Sequence, residues 1–254
     1  MSAVAPDETL DPLVGNWDVV QLARGHRGST DDRLTAWRAI SVRPEATDLL
    51  DLGAGVGTVG LTALWHLPNA SLVAIEAQEV SHRLFRRTVE HNGLQHRVQA
   101  IHGDIRDPSV LPEGRRFGLV TGSPPYTPVG SGTISPHPQK AHCRMEIRGG
   151  LEVYCEAARR WMAPGGRFVF VMLANDERTE RFPVEAGLAI VERTDVTFRE
   201  EQGPFIAVVV CAHAEEAVPR VTHQLTVRGP DNEWTEPYTR VMHGLRDFPP
   251  ERRP

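Results

Sequence analysis

Apolar residues in this chain fall into short runs separated by polar, glycine-bearing turns, and the spacing within the runs alternates between two periods. After a break at Pro44, Thr47-Asp48-Leu49-Leu50-Asp51 reads as a short apolar strand. Gly57 to His66 reads as a helix and Ser71 to Glu76 as a strand. Glu79 to Asn92 has Val80, Leu84 and Val89 on one side of a helix, and Asn92-Gly93 is a C-cap pair that stops it. Arg97–His102 and Phe117–Thr121 read as strands. Arg148–Met162 reads as a helix closed by Ala163-Pro164-Gly165-Gly166, and Arg167–Leu173 as a strand of near-continuous apolar character. Upstream, Asp31–Ile40 predicts a helix with Thr30 as N-cap and Leu34, Trp37 and Ile40 on one face.

Strands that alternate with helices predict a doubly wound, Rossmann-like α/β fold around a mostly parallel seven-stranded sheet. The last two of the seven, Ala189–Asp195 and Phe205–His213, flank a short polar turn near Glu200–Gly203 and read as an antiparallel edge hairpin. The expected organisation is an N-terminal arm over residues 1–28, loose or partly ordered, then a main domain over 29–213. A C-terminal extension over 214–254 would pack on the same domain, with a strand-like Gln224–Arg228 and a helix near Glu236–Leu245.

Composition narrows the class. With 40% hydrophobic and 24% charged residues, the 254-residue chain is ordinary globular protein, long enough for one sizeable core. Met1–Pro12 is acidic and lacks an apolar centre, so no secretory leader is expected, and the longest apolar run, Phe205–Ala212, is too short to span a bilayer. Three cysteines with no C-x-x-C pair argue for a reducing, cytoplasmic compartment and against a disulfide scaffold or zinc ribbon. Eleven histidines show no metal-ligand spacing, so no metal site is expected. A net charge of −5 counts mildly against a nucleic-acid partner but leaves room for a local basic patch.

The chemistry concentrates in two loops. Asp51-Leu52-Gly53-Ala54-Gly55-Val56-Gly57 follows the first strand of the alternating region, where such sheets bind ligands. Its glycines allow close backbone approach, and the following helix offers free N–H groups. Gly55-x-Gly57-x-x-Gly60 also fits a dinucleotide fingerprint, with Glu76 placed to accept hydrogen bonds from ribose hydroxyls in either case. Asp51, two residues before Gly53, and Asp104, which with Ile105 suits an adenine ring and its amino group, favour S-adenosylmethionine. In the second loop, Ser123-Pro124-Pro125-Tyr126 ends a strand. An exocyclic amine on a heteroaromatic ring is a poor nucleophile because its lone pair is delocalised. The Ser123 hydroxyl and the Pro124 carbonyl are candidate acceptors for its hydrogens, an interaction that strengthens in the transition state. Tyr126 is placed to stack on a planar substrate. Taken alone, the same residues also read as a Pro-Pro turn closing a strand.

These motifs resemble those of class I S-adenosylmethionine-dependent amino-methyltransferases, with their Asn/Asp/Ser-Pro-Pro-Tyr/Phe/Trp signature. The chain looks most like the bacterial tRNA1(Val) adenine-N6 methyltransferase family. Gly28-Ser29-Thr30-Asp31-Asp32 with Trp37 resembles that family's Gly-Thr-Asp-Gly segment, and Arg144 and Glu146 resemble its Arg-containing segment past the catalytic loop. Val227-Arg228-Gly229-Pro230-Asp231 with Tyr238 resembles its C-terminal Ile-Arg-Gly-Pro-Asp and Tyr. The resemblance covers about residues 25–245 and implies methyl transfer to an adenosine N6 in tRNA, with S-adenosylmethionine as cofactor. Two positions depart from the pattern: Ser123 stands where the family has Asn, and Asp32 where it has Gly. Serine in this motif also occurs in cytosine-N4 methylating enzymes.

Lys140, Arg144 and Arg148 form the densest basic stretch, just past the second loop, and are candidate contacts to a phosphate-bearing substrate. Gly130–Gly132 reads as a loop that orders on substrate binding. Alternatives to the tRNA reading are a protein glutamine amide, a small-molecule amine, and a degenerate cofactor-binding fold that only binds a partner.

Overall fold

The computed structural model describes residues 5–131 and 135–246. Gly132, part of the expected substrate-ordered loop, lies outside the described residues. Two strands, β1 (Glu8–Val14) and β2 (Trp17–Leu22), open the chain. They are followed by α1 (Thr30–Val42), β3 (Asp48–Leu52), α2 (Thr58–His66), β4 (Ser71–Glu76), α3 (Glu79–His91), β5 (Val98–His102) and β6 (Phe117–Gly122). Then come α4 (Pro138–Arg144), α5 (Leu151–Trp161), β7 (Met162–Leu173), α6 (Arg178–Glu185), β8 (Leu188–Arg199), β9 (Ile206–His213), β10 (Val221–Arg228) and α7 (Glu236–Arg246).

The main sheet runs β10-β8-β9-β7-β6-β3-β4-β5. β9 is antiparallel to β7 and β8, and the other pairings are parallel. The doubly wound α/β expectation therefore holds, with eight strands rather than seven. The eighth is β10, which pairs parallel with β8 and so takes the edge from the β8–β9 hairpin. One face of the sheet is covered by α1, α2, α3 and α7, which contribute Leu34, Leu61, Phe85 and Val241 to one core. The other face is covered mainly by α5, with Leu151, Tyr154 and Trp161. Every residue of β9 is buried, as a strand covered on both faces requires.

Of the expected loose or partly ordered arm, residues 8–22 form an ordered antiparallel hairpin. It is held to α3 by long-range bonds: the Val20 N–H donates to Thr88 Oγ1 at 3.0 Å, and the Asp18 N–H to Asn92 Oδ1 at 3.0 Å. Glu8 pairs with Arg87, and Trp17 meets Trp65 edge-on at 4.9 Å between ring centres. Helix α1 starts one residue earlier than expected, capped at Ser29 rather than Thr30, because the Asp32 side chain turns back to accept the Ser29 N–H at 3.0 Å. Lys140 and Arg144 of the basic stretch lie on α4. α6 has no sequence-based counterpart, since Pro183 lies within it and proline reads as a helix breaker.

Candidate active site

Leu52, the last residue of β3, pairs with Gly122, the last of β6. The glycine loop and Ser123–Tyr126 therefore leave adjacent strands at the same level. The chain runs outward from β3 through β4 to β5 and then returns to β6, so this is the switch point of the sheet, where a crevice opens. The crevice holds a cavity of about 520 Å³, within the size range of small-molecule sites.

The glycines are required by what lies beneath them. Gly53 has φ +61° and an added Cβ would stand 2.1 Å from the Tyr154 hydroxyl; Gly57 has φ +93° and its Cβ would meet the Phe85 ring at 2.4 Å. Positive φ and close aromatic approach both demand glycine. Glu76, at the end of β4, accepts the Gly55 N–H through Oε2 at 2.8 Å and the Gln78 N–H through Oε1 at 2.6 Å. Each oxygen keeps a further lone pair, and the carboxylate lines the cavity.

Asp51 is tied to the helix after the glycine loop and to β6. Leu49 and Asp51 share one face of β3, toward α1 and α2. Asp51 Oδ2 accepts the Gly60 N–H at 3.0 Å, and Oδ1 accepts the Thr121 hydroxyl at 2.7 Å. Burial pushes its pKa up to about 7 despite both bonds. Burial also raises Glu76, Asp31 and Asp32. Asp104 lines the cavity beside Ile105, but Arg106 clamps it from both sides, with Nε on Oδ1 at 2.9 Å and Nη2 on Oδ2 at 2.6 Å. That clamp holds its carboxyl below the usual range.

Ser123, Pro124, Pro125 and Tyr126 all line the cavity. The Tyr126 hydroxyl donates to Asp31 Oδ2 at 2.7 Å, which fixes the ring. Its carbonyl accepts from Arg178 Nη2 at 3.2 Å, and Arg178 is itself held by Asp176 and Glu146. The sequence singled out neither Arg178 nor Tyr154. No local signal marks them, because α6 and α5 reach the site only through the fold. Of the basic stretch, Arg144 and Arg148 line the cavity, with Arg148 Nη1 at 2.8 Å from His142 Nδ1. Lys140 is on α4 but not in the cavity wall. His26 faces this group, and burial followed by Arg144 lowers its pKa.

The floor of the cavity is thus acidic, with Asp32, Asp51 and Glu76 buried and Asp31 half-buried. Such a floor suits a cationic, diol-bearing cofactor such as S-adenosylmethionine and disfavours a dinucleotide, whose pyrophosphate would lie against the carboxylates. Among the described residues, no group of three His, Cys, Asp or Glu side chains could hold a metal ion, and no helix is long and apolar enough to cross a membrane.

Residues 38–134 match the methyltransferase small domain family. Over that stretch, less than half of its length, the chain is similar to a methyltransferase small domain. The cofactor of that domain is S-adenosylmethionine, which agrees with the acidic floor. Among curated proteins, the chain is 28% identical over 143 residues to the release factor glutamine methyltransferase of Geobacter sulfurreducens, covering 54% of this chain and 49% of that one. It is 24% identical over 205 residues to the tRNA1(Val) (adenine(37)-N6)-methyltransferase of Pedobacter heparinus, covering 81% and 78%. The chain spans about half the length of most of the curated relatives it matches. Among solved structures, a predicted O-methyltransferase from Agrobacterium tumefaciens superposes with a TM-score of 0.60 at 17% identity, covering 86% of this chain and 98% of that one. The chain thus shares its α/β fold with that structure.

Proposed function

We propose that this protein is an S-adenosylmethionine-dependent N-methyltransferase that acts on the exocyclic N6 of an adenosine in tRNA. The observation that carries the reading is the placement of Ser123-Pro124-Pro125-Tyr126 beside the glycine loop, in one cavity with a basic wall at Arg144 and Arg148. Supporting it, the relative covered most fully in both directions among those described above modifies tRNA adenine. Glu76 would hold the ribose hydroxyls and Ile105 would pack on the adenine. The cofactor supplies an electrophilic methyl group.

The chain's own residues then prepare the acceptor. The Ser123 hydroxyl and the Pro124 carbonyl take the two amine hydrogens and favour the pyramidal, nucleophilic nitrogen. Tyr126, fixed by Asp31, stacks on the flat ring. The amine proton leaves to water after transfer, so no general base is required. Most of the rate comes from holding nitrogen and methyl carbon in line.

The test is transfer of labelled methyl from S-adenosylmethionine to unmodified tRNA, with a protein extract in parallel, followed by nucleoside and peptide mass spectrometry. N6-methyladenosine is expected. Label in glutamine would transfer the same chemistry to a protein amide. Cofactor binding with label in neither pool would reject the tRNA reading.

A further inference from the structure

Among the described residues, Phe205 is the aromatic side chain most open to solvent, at 56% exposed, and it lines the same cavity as Ser123–Tyr126. A lone exposed apolar residue is ordinary. This one is held rigidly at a cavity wall. Its N–H donates to the Val196 carbonyl and its carbonyl accepts the Ala174 N–H, each at 2.9 Å, so its backbone is pinned to β8 and to the residue after β7. The Pro204 carbonyl just before it accepts Asn175 Nδ2 at 3.2 Å. Phe198 on β8 braces the ring, with 5.7 Å between ring centres.

The place of Phe205 in the sheet decides what can meet it. Gly53, Glu76 and Asp104 lie at or just past the ends of β3, β4 and β5, all on one side of β6. Phe205 precedes β9 on the other side. Leu173, the last residue of β7, pairs with Ile206, so the ring stands at the edge of the sheet where the cavity opens. β7 lies between β6 and β9, which sets the ends of those two strands about 10 Å apart. A flat ring held by the loop after β6 does not also cover Phe205; a second flat group is needed. The cavity wall also carries Arg144, which is exposed and whose carbonyl accepts the Thr127 N–H at 3.0 Å, next to Tyr126. Two separated aromatic platforms and a cation in one cavity match a single strand of nucleic acid, in which flat bases alternate with phosphates.

We infer that Phe205 is a stacking platform for a base next to the one that receives the methyl group, so that the protein holds at least two consecutive nucleotides of a single strand. The inference rests on the nucleic-acid side of the proposed function and narrows its substrate from a nucleoside to a segment of strand. Every base has a π face, so the platform contributes affinity and register rather than sequence choice. The backbone is ordered before the substrate arrives, which limits the entropy lost on stacking.

Two measurements test it on the full chain. The first needs no methyl transfer. Protein carrying 4-fluorophenylalanine is followed by fluorine NMR, with the Phe205 signal assigned by its loss in Phe205→Leu. A single-stranded RNA pentamer with adenosine at its centre is expected to shift that signal upfield through the ring current of the stacked base. Saturating adenosine, and S-adenosylhomocysteine alone, are expected to leave it in place. A pentamer that does not bind, or that binds without moving the signal, overturns the inference. An equal shift with adenosine or with S-adenosylhomocysteine also overturns it, because one ring then suffices to reach Phe205.

The second is methyl transfer to unmodified tRNA. Phe205→Leu keeps apolar bulk without a π face and is expected to raise KM roughly fivefold to a hundredfold, with kcat changed much less and cofactor affinity within about twofold. Phe205→Trp is expected to restore KM. An unchanged KM in Phe205→Leu, or no recovery in Phe205→Trp, overturns the platform and leaves the methyltransferase reading standing. If tRNA receives no methyl group while the pentamer still shifts the Phe205 signal, the tRNA reading falls and the platform stands.

Discussion

Asp51 is a buried acid whose ionisation works against the fold, and replacing it by asparagine is expected to stabilise the cofactor-free protein above neutral pH. The side chain is 2% exposed and its pKa stands at about 7, against an ordinary 3.8. Burial is the main cause; Thr121 and the Gly60 N–H oppose it, and the nearby charges of Asp32 and Glu76 add to it. Between pH 3.8 and about 7 the unfolded chain has lost this proton and the folded chain has kept it. Stability therefore falls as pH rises through that window and levels off above it. A shift of about three units corresponds to about 4 kcal/mol, a large share of the 5–15 kcal/mol typical of a domain.

Asparagine keeps the local bonds. Its oxygen can take the Gly60 N–H, and its amide can donate to Thr121, whose hydroxyl then turns to the Leu50 carbonyl 3.5 Å away. The assay is urea unfolding of the wild type and Asp51→Asn, without cofactor, at pH 4, 5, 6, 7 and 8. The variant should gain on the wild type by up to about 4 kcal/mol between the extremes, most steeply from pH 5 to 7. A difference that does not change with pH would refute the reasoning. Saturating S-adenosylmethionine should narrow the gap, because a cation in the cavity favours the ionised carboxylate.

Other outcomes follow from the same geometry. Glu76→Ala removes a carboxylate that also anchors the Gly55 and Gln78 N–H groups, so calorimetry should show cofactor binding weakened about tenfold to a hundredfold. Tyr126→Ala should cut turnover far more than cofactor affinity, and Tyr126→Phe should show how much of that depends on the Asp31 bond; equal turnover for the alanine variant would remove the proposed acceptor site. Arg178→Ala unpins the Tyr126 carbonyl from outside the cavity and should lower kcat on tRNA with cofactor affinity retained.

The parts of the site that belong to one loop were legible in the sequence, and the parts assembled by distant elements were not. Glycine spacing and the run before it placed the cofactor loop, because positive φ at Gly53 and Gly57 is a backbone requirement that leaves its mark residue by residue. The prolines did the same for the second loop. Asp31, Asp32, Tyr154 and Arg178 carry no such mark: a carboxylate at a helix start reads as a cap, and tyrosine in a helix reads as core. Only the folded sheet brings them together, from α1 before β3 and from α5 and α6 after β6. The N-terminal hairpin did leave a signal, since Gly15-Asn16 between two short runs is hairpin chemistry. Pro12 and the mixed polar character of β1 hid it, because only Glu8 and Val14 of β1 are buried and the backbone bonds to the α3 side come from β2.

One amide joins three separate parts of the cavity wall. Gln139 on α4 accepts the His26 N–H at 3.0 Å and donates to Ser81 Oγ on α3 at 3.1 Å, and a Cβ on Gly25 would lie 2.2 Å from its oxygen. Two neutral hydrogen bonds, each worth about 1 kcal/mol, therefore hold the segment after β2, α4 and α3 to one another. Parting them leaves the sheet untouched, so this wall is expected to open at far lower cost than global unfolding. Native-state hydrogen exchange at the His26 amide reads that opening: exchange much faster than in β9, and slowed when the cofactor is bound, is the expected pattern. The residence time of the cofactor would then be set by a junction of uncharged groups, and salt would leave it unchanged.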